Sequence, residues 1–362
     1  MKVCPVCRQS YTDDAEFCLR DRARLAVAGT GAVFGPRAGA PAPGTRTPAG
    51  SPAAARSRAF QVNPEQPGRM KPFLLGGLAM ALIAAGVVYL FHGGPKRGEV
   101  RANRVDGLKY VWVPHGTFVM GCSPGDDECY DFEKPPHQIA LTNSFWIGQT
   151  EVTVAAYKRF AASTGKPMPP EPAIGGRPLN PGWGDDAMPI VDVTWDEAQA
   201  YCGWAGGRVP TDAEWEYAAR AGSDAARYDR LNEIAWYANN SGRQYLDSLS
   251  LLRKLDEAGY EKRLSENGNS MHEVAQKHPN DLGLDDMLGN VAEWIYDWWD
   301  PNFYQYSPPR DPGGPTSGTA HDLRGGSWIG RPRDIRVSFR SRREPGVRDS
   351  DVGFRCQAMD LP

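Results

Sequence analysis

Leu323–Cys356, LRGGSWIGRPRDIRVSFRSRREPGVRDSDVGFRC, is the stretch whose reading decides the fold. Without side chains, Gly325 and Gly326 permit backbone geometry and close approach that a Cβ forbids. Ser327 stands at the end of that turn, and Trp328 supplies a large anchor for burial. A run dense in arginine follows, with Arg331, Arg333, Arg336 and Arg340, and the stretch closes on Gly-Phe-Arg-Cys.

Upstream, the chain from about 105 to 362 has the composition of one folded domain. Tyr110–Pro114 and Gly116–Gly121 read as successive strands, and Pro189–Val193 as a short one. Val154, Tyr157, Phe160 and Ala161 form a helical stripe. Thr194-Trp-Asp-Glu197 and Thr211-Asp-Ala-Glu214 are capping boxes, in which a hydroxyl and a carboxylate satisfy free backbone donors at a helix start. The first helix presents Ala198, Tyr201 and Cys202; the second carries Trp215, Ala218 and Ala219 and is ended by Gly222. Leucines among charges in 242–271 suggest an inserted amphipathic helix, either a lid or a surface helix on its own domain. Asp126, Asp127 and Glu128 form an acidic loop, either solvated and facing the arginines or open to a hard cation.

These motifs, WDEAQAYCGWAGGRVPTDAEWEYAARAG (195–222), GLDDMLGNVAEWIYDWW (283–299) and the Gly-Gly-Ser-Trp to Gly-Phe-Arg-Cys stretch, resemble the formylglycine-generating enzymes, or sulfatase-modifying factors. The resemblance covers about 250 residues and implies an irregular, loop-rich α+β fold of C-type-lectin-like form. It implies a calcium loop in which Asp286, the carbonyls of Gly289 and Val291, and Glu293 are ligands, in keeping with calcium's preference for hard oxygens. The plainer reading is that Asp286 and Glu293 cap helix ends and pair with arginine. It also implies a Cys202–Cys356 disulfide, which leaves Cys122 with Cys129. Active members carry two cysteines five residues apart after the Gly-Gly-Ser-aromatic turn. Here those positions are Gly330 and Ile335. Neither is a soft-metal ligand, so copper is not expected. Where many members have tryptophan before the loop glutamate, this chain has Ala292.

The first 93 residues read differently. Cys4-Pro-Val-Cys7, Cys18 and Asp21 resemble a short zinc ribbon, Cys3Asp in ligand type; a degenerate ribbon without metal is the alternative. Residues 26–70, rich in Ala, Gly, Pro, Ser and Arg, read as a disordered linker. Phe73–Phe91 is nineteen residues without a charge. As a helix it spans about 28 Å, close to the hydrocarbon thickness, and reads as a single transmembrane anchor. Lys and Arg flank both ends, so the positive-inside rule gives no vote. A thiolate ribbon suits a reducing cytoplasm and disulfides suit the far side, placing the N-terminus inside and the C-terminal domain outside, in the periplasm of a bacterial cell.

A net charge of -3 gives no reason to expect a nucleic-acid partner. Three functions stand, the third a link through the membrane anchor between a ligand outside and a partner chain in the cytoplasm. In the first, the C-terminal domain lacks its reacting thiols and recognises a protein, peptide or anionic ligand, with Ser327, Trp328, Arg331, Arg333, Arg336 and Arg340 lining a cleft. In the second it is a formylglycine-generating oxidase acting on sulfatase-type substrates. His115, His137, His272, His278 and His321 are scattered without a His-x3-His spacing that would support iron chemistry. The arginines have their own plainer reading, pairing with the domain's acids.

Overall fold

The computed structural model describes residues 94–362, together with three two-residue strands near the N-terminus. Those strands are antiparallel, Lys2–Val3 pairing with Ser10–Tyr11 and with Ala26–Val27. The zinc candidates Cys4, Cys7, Cys18 and Asp21, the linker beyond Val27 and the apolar stretch 73–91 lie outside the described residues. Among the described residues, no helix is long and apolar enough to cross a membrane. The chain divides into two units, Met1–Leu74 and Leu75–Pro362.

In the larger unit, β1 (Val100–Ala102) and β2 (Lys109–Val113) pair antiparallel, so the domain begins slightly before the expected residue 105. The β3 (Gly116–Met120) and β4 (His137–Leu141) strands form a separate hairpin, and β5 (Phe145–Gly148) pairs with β2. Helix α1 (Val154–Thr164) starts on a Thr153 cap and buries Val154, Ala156, Tyr157 and Phe160. Ala161, expected on that stripe, is only partly covered. The expected strand at 189–193 is instead a largely buried irregular segment, with Asp192 in the left-handed region (φ 57°) and a single bridge, Thr153↔Pro189.

Helices α2 (Trp195–Trp204) and α3 (Asp212–Arg220) open on the two capping boxes. Thr194 Oγ accepts from the Glu197 N–H at 3.3 Å, and Thr211 Oγ accepts from the Glu214 N–H at 3.2 Å. The residue that ends α3 in the left-handed region is Ala221 (φ 49°), with Gly222 following it. The 242–271 insertion forms a short helical turn, Ser248–Leu252, and α4 (Glu257–Asn267). It packs on its own domain: Tyr260 and Leu264 are buried, and the Tyr260 hydroxyl donates to the Ile329 carbonyl at 3.2 Å. A lid is therefore not needed to explain it.

The second half builds the sheet that carries the arginine-rich stretch. Its strands are β6 (Ala292–Trp298), β7 (His321–Arg324), β8 (Arg340–Arg343) and β9 (Val352–Gly353), in the order β8-β7-β6-β9. The last strand, β10 (Gln357–Ala358), returns to pair with β5, so the order of that sheet is β10-β5-β2-β1. Two apolar clusters fill the domain. One gathers Tyr157, Phe160, Tyr201, Trp294, Trp328 and Phe354; the other gathers Ile139, Ile147, Trp215, Ile295, Ile335 and Val337.

Sulfur bonds join Cys122 to Cys129 and Cys202 to Cys356, with Cα separations of 5.8 and 5.4 Å. The second ties α2 to the chain end across 154 residues.

Candidate functional site

Gly325 and Gly326 adopt φ of 88° and 70°, a region that favours glycine. A Cβ on Gly326 would meet Ile335 Cδ1 at 2.6 Å and the Asp334 carbonyl at 2.8 Å. The turn so formed is locked to the 283–299 loop. The Gly289 N–H donates to the Gly325 carbonyl at 3.0 Å, and the Trp328 N–H donates to the Asn290 carbonyl at 2.8 Å. Gly330 and Ile335 are thereby brought together: a Cβ on Gly330 would lie 3.0 Å from Ile335 Cδ1. Ile335 is fully buried and belongs to the core. Where a reacting pair of side chains would face each other there is hydrocarbon against a glycine.

Four of the six expected cleft residues are not at the surface. Ser327 is buried and donates to Asp351 Oδ2 at 2.6 Å. The Trp328 ring is fully buried in the core. Arg336 forms a bidentate pair with Glu133 (2.6 and 2.7 Å), reaches Asp126 at 2.9 Å, and is fully buried. Arg340 donates to Asp322 at 2.8 Å and lies 3.3 Å from Asp212. A guanidinium is tolerated in an interior only with its charge and donors matched, so these arginines serve the fold and are unavailable to an external anion.

Arg324 belongs to the same buried system, pairing with Asp212 and donating to Glu216 at 2.7 Å. Burial and the neighbouring Asp212 push the Asp322 carboxyl up to about 7, against the pull of Arg340.

Arg331 and Arg333 remain partly exposed. Arg331 pairs with Asp334 at 2.6 Å and donates to the Tyr130 hydroxyl at 2.9 Å. The Arg333 guanidinium lies 3.8 Å over the Tyr130 ring and donates to the Glu128 carbonyl at 2.7 Å. The acidic loop does face the arginines, through Asp126 to Arg336 and Glu128 to Arg227. Tyr130, Phe132, Trp299, Phe339, Arg342 and Arg343 line a groove of about 380 Å³ here. Arg331 and Arg340, two of the expected cleft residues, also line it; sequence reading missed its aromatic members and Arg342, although the alternation Phe339-Arg340-Ser341-Arg342 is a strand signal that sets Arg340 and Arg342 on one face.

The two carboxylates expected to hold calcium, Asp286 and Glu293, both have protein partners. Glu293 is committed to Arg355, which donates to both its oxygens at 2.7 Å, and it accepts from the Trp215 indole at 2.8 Å. Among the described residues, no group of three or more His, Cys, Asp or Glu side chains is arranged to hold a metal ion. Asp286 accepts from the Ala275 N–H at 2.6 Å through one oxygen. The unsatisfied carboxylate of this region is one the sequence did not flag. Glu151 is fully buried with neither oxygen partnered among the described residues, and burial together with Asp286 holds its carboxyl well above the usual range.

An irregular α+β domain with two sulfur cross-links, a glycine turn locked to an acidic loop and a buried arginine–carboxylate interior defines the class. Residues 96–359 match the family model described as Sulfatase-modifying factor enzyme 1-like domain, and the chain belongs to that family. It is 32% identical over 290 residues to the formylglycine-generating enzyme of Streptomyces coelicolor, covering 68% of this chain and 88% of that protein. It is 31% identical over 261 residues to the serine/threonine-protein kinase pkn1 of Chlamydia pneumoniae, of which it spans 37%. The structure of PvdO from Pseudomonas aeruginosa is similar, with a TM-score of 0.59 and 25% identity, covering 73% of this chain and 99% of that one.

Proposed function

We propose that the chain is a membrane-anchored member of the family whose C-terminal domain recognises a protein or peptide and does not oxidise cysteine. The observation that carries this reading is Ile335 packed over Gly330. An oxidase of this family needs two thiolates at those positions, and among the described residues no other cysteine is available, since Cys122, Cys129, Cys202 and Cys356 are all bonded. The alternative, a formylglycine-generating oxidase, rests on family similarity alone. The test is to load the full 362-residue chain with copper in detergent and incubate it with a sulfatase-type Cys-x-Pro-x-Arg peptide. Mass spectrometry then follows conversion of the thiol to an aldehyde. No conversion is expected under conditions where the Streptomyces coelicolor relative converts the peptide; conversion would overturn the reading.

Anchoring by 73–91, with the N-terminus cytoplasmic and the family domain outside, is supported by the uncharged stretch and by the two sulfur bonds. Zinc at Cys4, Cys7, Cys18 and Asp21 belongs to the same proposal, and metal analysis of the chain with and without Cys4→Ser and Cys7→Ser tests it. A hard cation beside Asp286 is supported by Glu151. Glu151, Asp286 and Glu293 surround one guanidinium, Arg355, and burial holds the Glu151 and Asp286 carboxyls above the usual range, a cost that a bound cation would relieve. Asp286 and Glu151 would hold the ion with the carbonyls of Gly289 and Val291. Calcium should then raise the melting temperature of the wild type and leave Glu151→Gln unmoved.

A further inference from the structure

We infer that the outer edge of β8, with the groove beside it, receives an extended acidic peptide segment carrying an aromatic residue, added to the sheet as a further strand. This rests on the recognition reading above and gives it a place and a chemistry.

Three independent features converge there. The first is backbone. In its sheet β8 is outermost, pairing with β7 through Arg340↔Arg324 to Arg343↔His321, and no strand pairs with its other side among the described residues. An open edge presents unpaired N–H and C=O groups that an extended segment can satisfy.

The second is apolar surface. Phe339, Tyr130, Phe132 and Trp299 form a continuous aromatic strip, with successive centroids 5.8, 5.0 and 5.2 Å apart. All four are partly exposed along the groove. A planar apolar side chain lying on such a strip gains burial and ring contact together.

The third is charge. Arg342 is exposed, lies 5.1 Å from the Trp299 ring, and has no carboxylate in ion-pair range among the described residues. Arg333 likewise meets only a carbonyl and the Tyr130 ring. Four acids near the groove are already paired, Asp126 by Arg336, Glu128 by Arg227, Asp334 by Arg331 and Asp349 by Arg343, while Asp127 and Glu344 stand exposed. Arg342 and Arg333 are therefore the groove's guanidinium groups without a carboxylate of this domain, and guanidinium groups suit carboxylates.

The same charge excludes two other occupants. A second copy added edge to edge would set arginine against arginine, which is unfavourable directly across strands. The chain's own 26–70 segment carries five arginines and one glutamate, the wrong sign.

The test is fluorescence anisotropy of the full-length chain in detergent with a labelled synthetic peptide of alternating glutamate and phenylalanine. Three competitors are compared: the lysine–phenylalanine counterpart, the acidic peptide N-methylated at alternate amides, and a sulfated glycosaminoglycan fragment. The acidic peptide is expected to bind, more weakly as salt rises. The lysine and N-methylated peptides, and the Arg342→Glu variant with the acidic peptide, should each lose at least about tenfold in affinity. Trp299→Ala should lose binding while the melting curve of Arg342→Glu stays that of the wild type. The proposal is overturned if Arg342→Glu binds like wild type, if either control peptide binds as well as the acidic one, if the glycosaminoglycan alone binds, or if the chain dimerises through this edge. Any of these leaves the oxidation result on Gly330 and Ile335 untouched, so the two readings fail separately.

Discussion

Ile335 Cδ1 lies 3.0 Å from the point where a Cβ on Gly330 would stand, and the Ser327 carbonyl is equally close to that point. The two positions are thus neighbours in space although five apart in sequence, and their chemistry is apolar.

Gly330→Cys alone should be overpacked, costing about 1–3 kcal/mol. The double variant Gly330→Cys/Ile335→Cys removes the obstructing methyl group and should recover part of that loss. It should also gain copper(I) binding that the wild-type domain site lacks, since soft thiolates select that ion. Urea unfolding and a copper(I) competition assay read the two effects. A double variant no more stable than the single would contradict the packing.

The arginines divide by burial. Removing Arg336 leaves Glu133 buried without its partner, so Arg336→Met should cost about 3–5 kcal/mol. Arg342 is exposed and has no ion-pair partner among the described residues, and Arg342→Ala should stay within about 0.5 kcal/mol of wild type. Equal effects in urea melts would erase the distinction between structural and available arginines.

Cys202 and Cys356 close a loop of 154 residues, and Cys122 and Cys129 one of 7. In the chain-entropy model the long loop contributes about 5 kcal/mol and the short one about 2–3 kcal/mol. Cys202→Ala/Cys356→Ala should therefore lower the melting temperature more than Cys122→Ala/Cys129→Ala does, by differential scanning calorimetry.

His321 is stacked between the Trp195 and Trp298 rings, at 4.0 and 3.8 Å, and burial pushes its imidazole down to about 4 despite the Asp297 and Tyr296 carbonyls. Between that value and the unfolded 6.5, the unfolded chain holds a proton that the folded chain does not. Stability from this group is therefore complete above pH 6.5 and falls as pH drops toward 4, by roughly 3 kcal/mol. His321→Phe should flatten that part of the melting-temperature profile. An unchanged slope would mean that His321 does not titrate there.

Local signals carried the fold. The capping boxes at Thr194 and Thr211 need only four residues each, and both open helices where the sequence places them. Ala221 shows the limit: the sequence offers Gly222 for the left-handed end of α3, but packing sets the end one residue earlier. The segment at 189–193 has strand composition yet finds a single bridge, because strand pairing depends on a partner that composition cannot name.

What the sequence determined by itself was the absence of thiols at Gly330 and Ile335 and the helices, turns and anchors of one family. Those follow from residue identity and near-neighbour spacing. Only the tertiary structure decided which charges are available. Arg336 and Arg342 look alike in a chain of arginines. One is closed in by Glu133 from over two hundred residues away, and the other stands on an open strand edge. Glu151, reading as a polar residue ahead of a helix, becomes a buried carboxylate only when Asp286 and Arg355 fold around it. The cost of leaving a charge in an interior depends on what surrounds it, and long-range packing sets those surroundings.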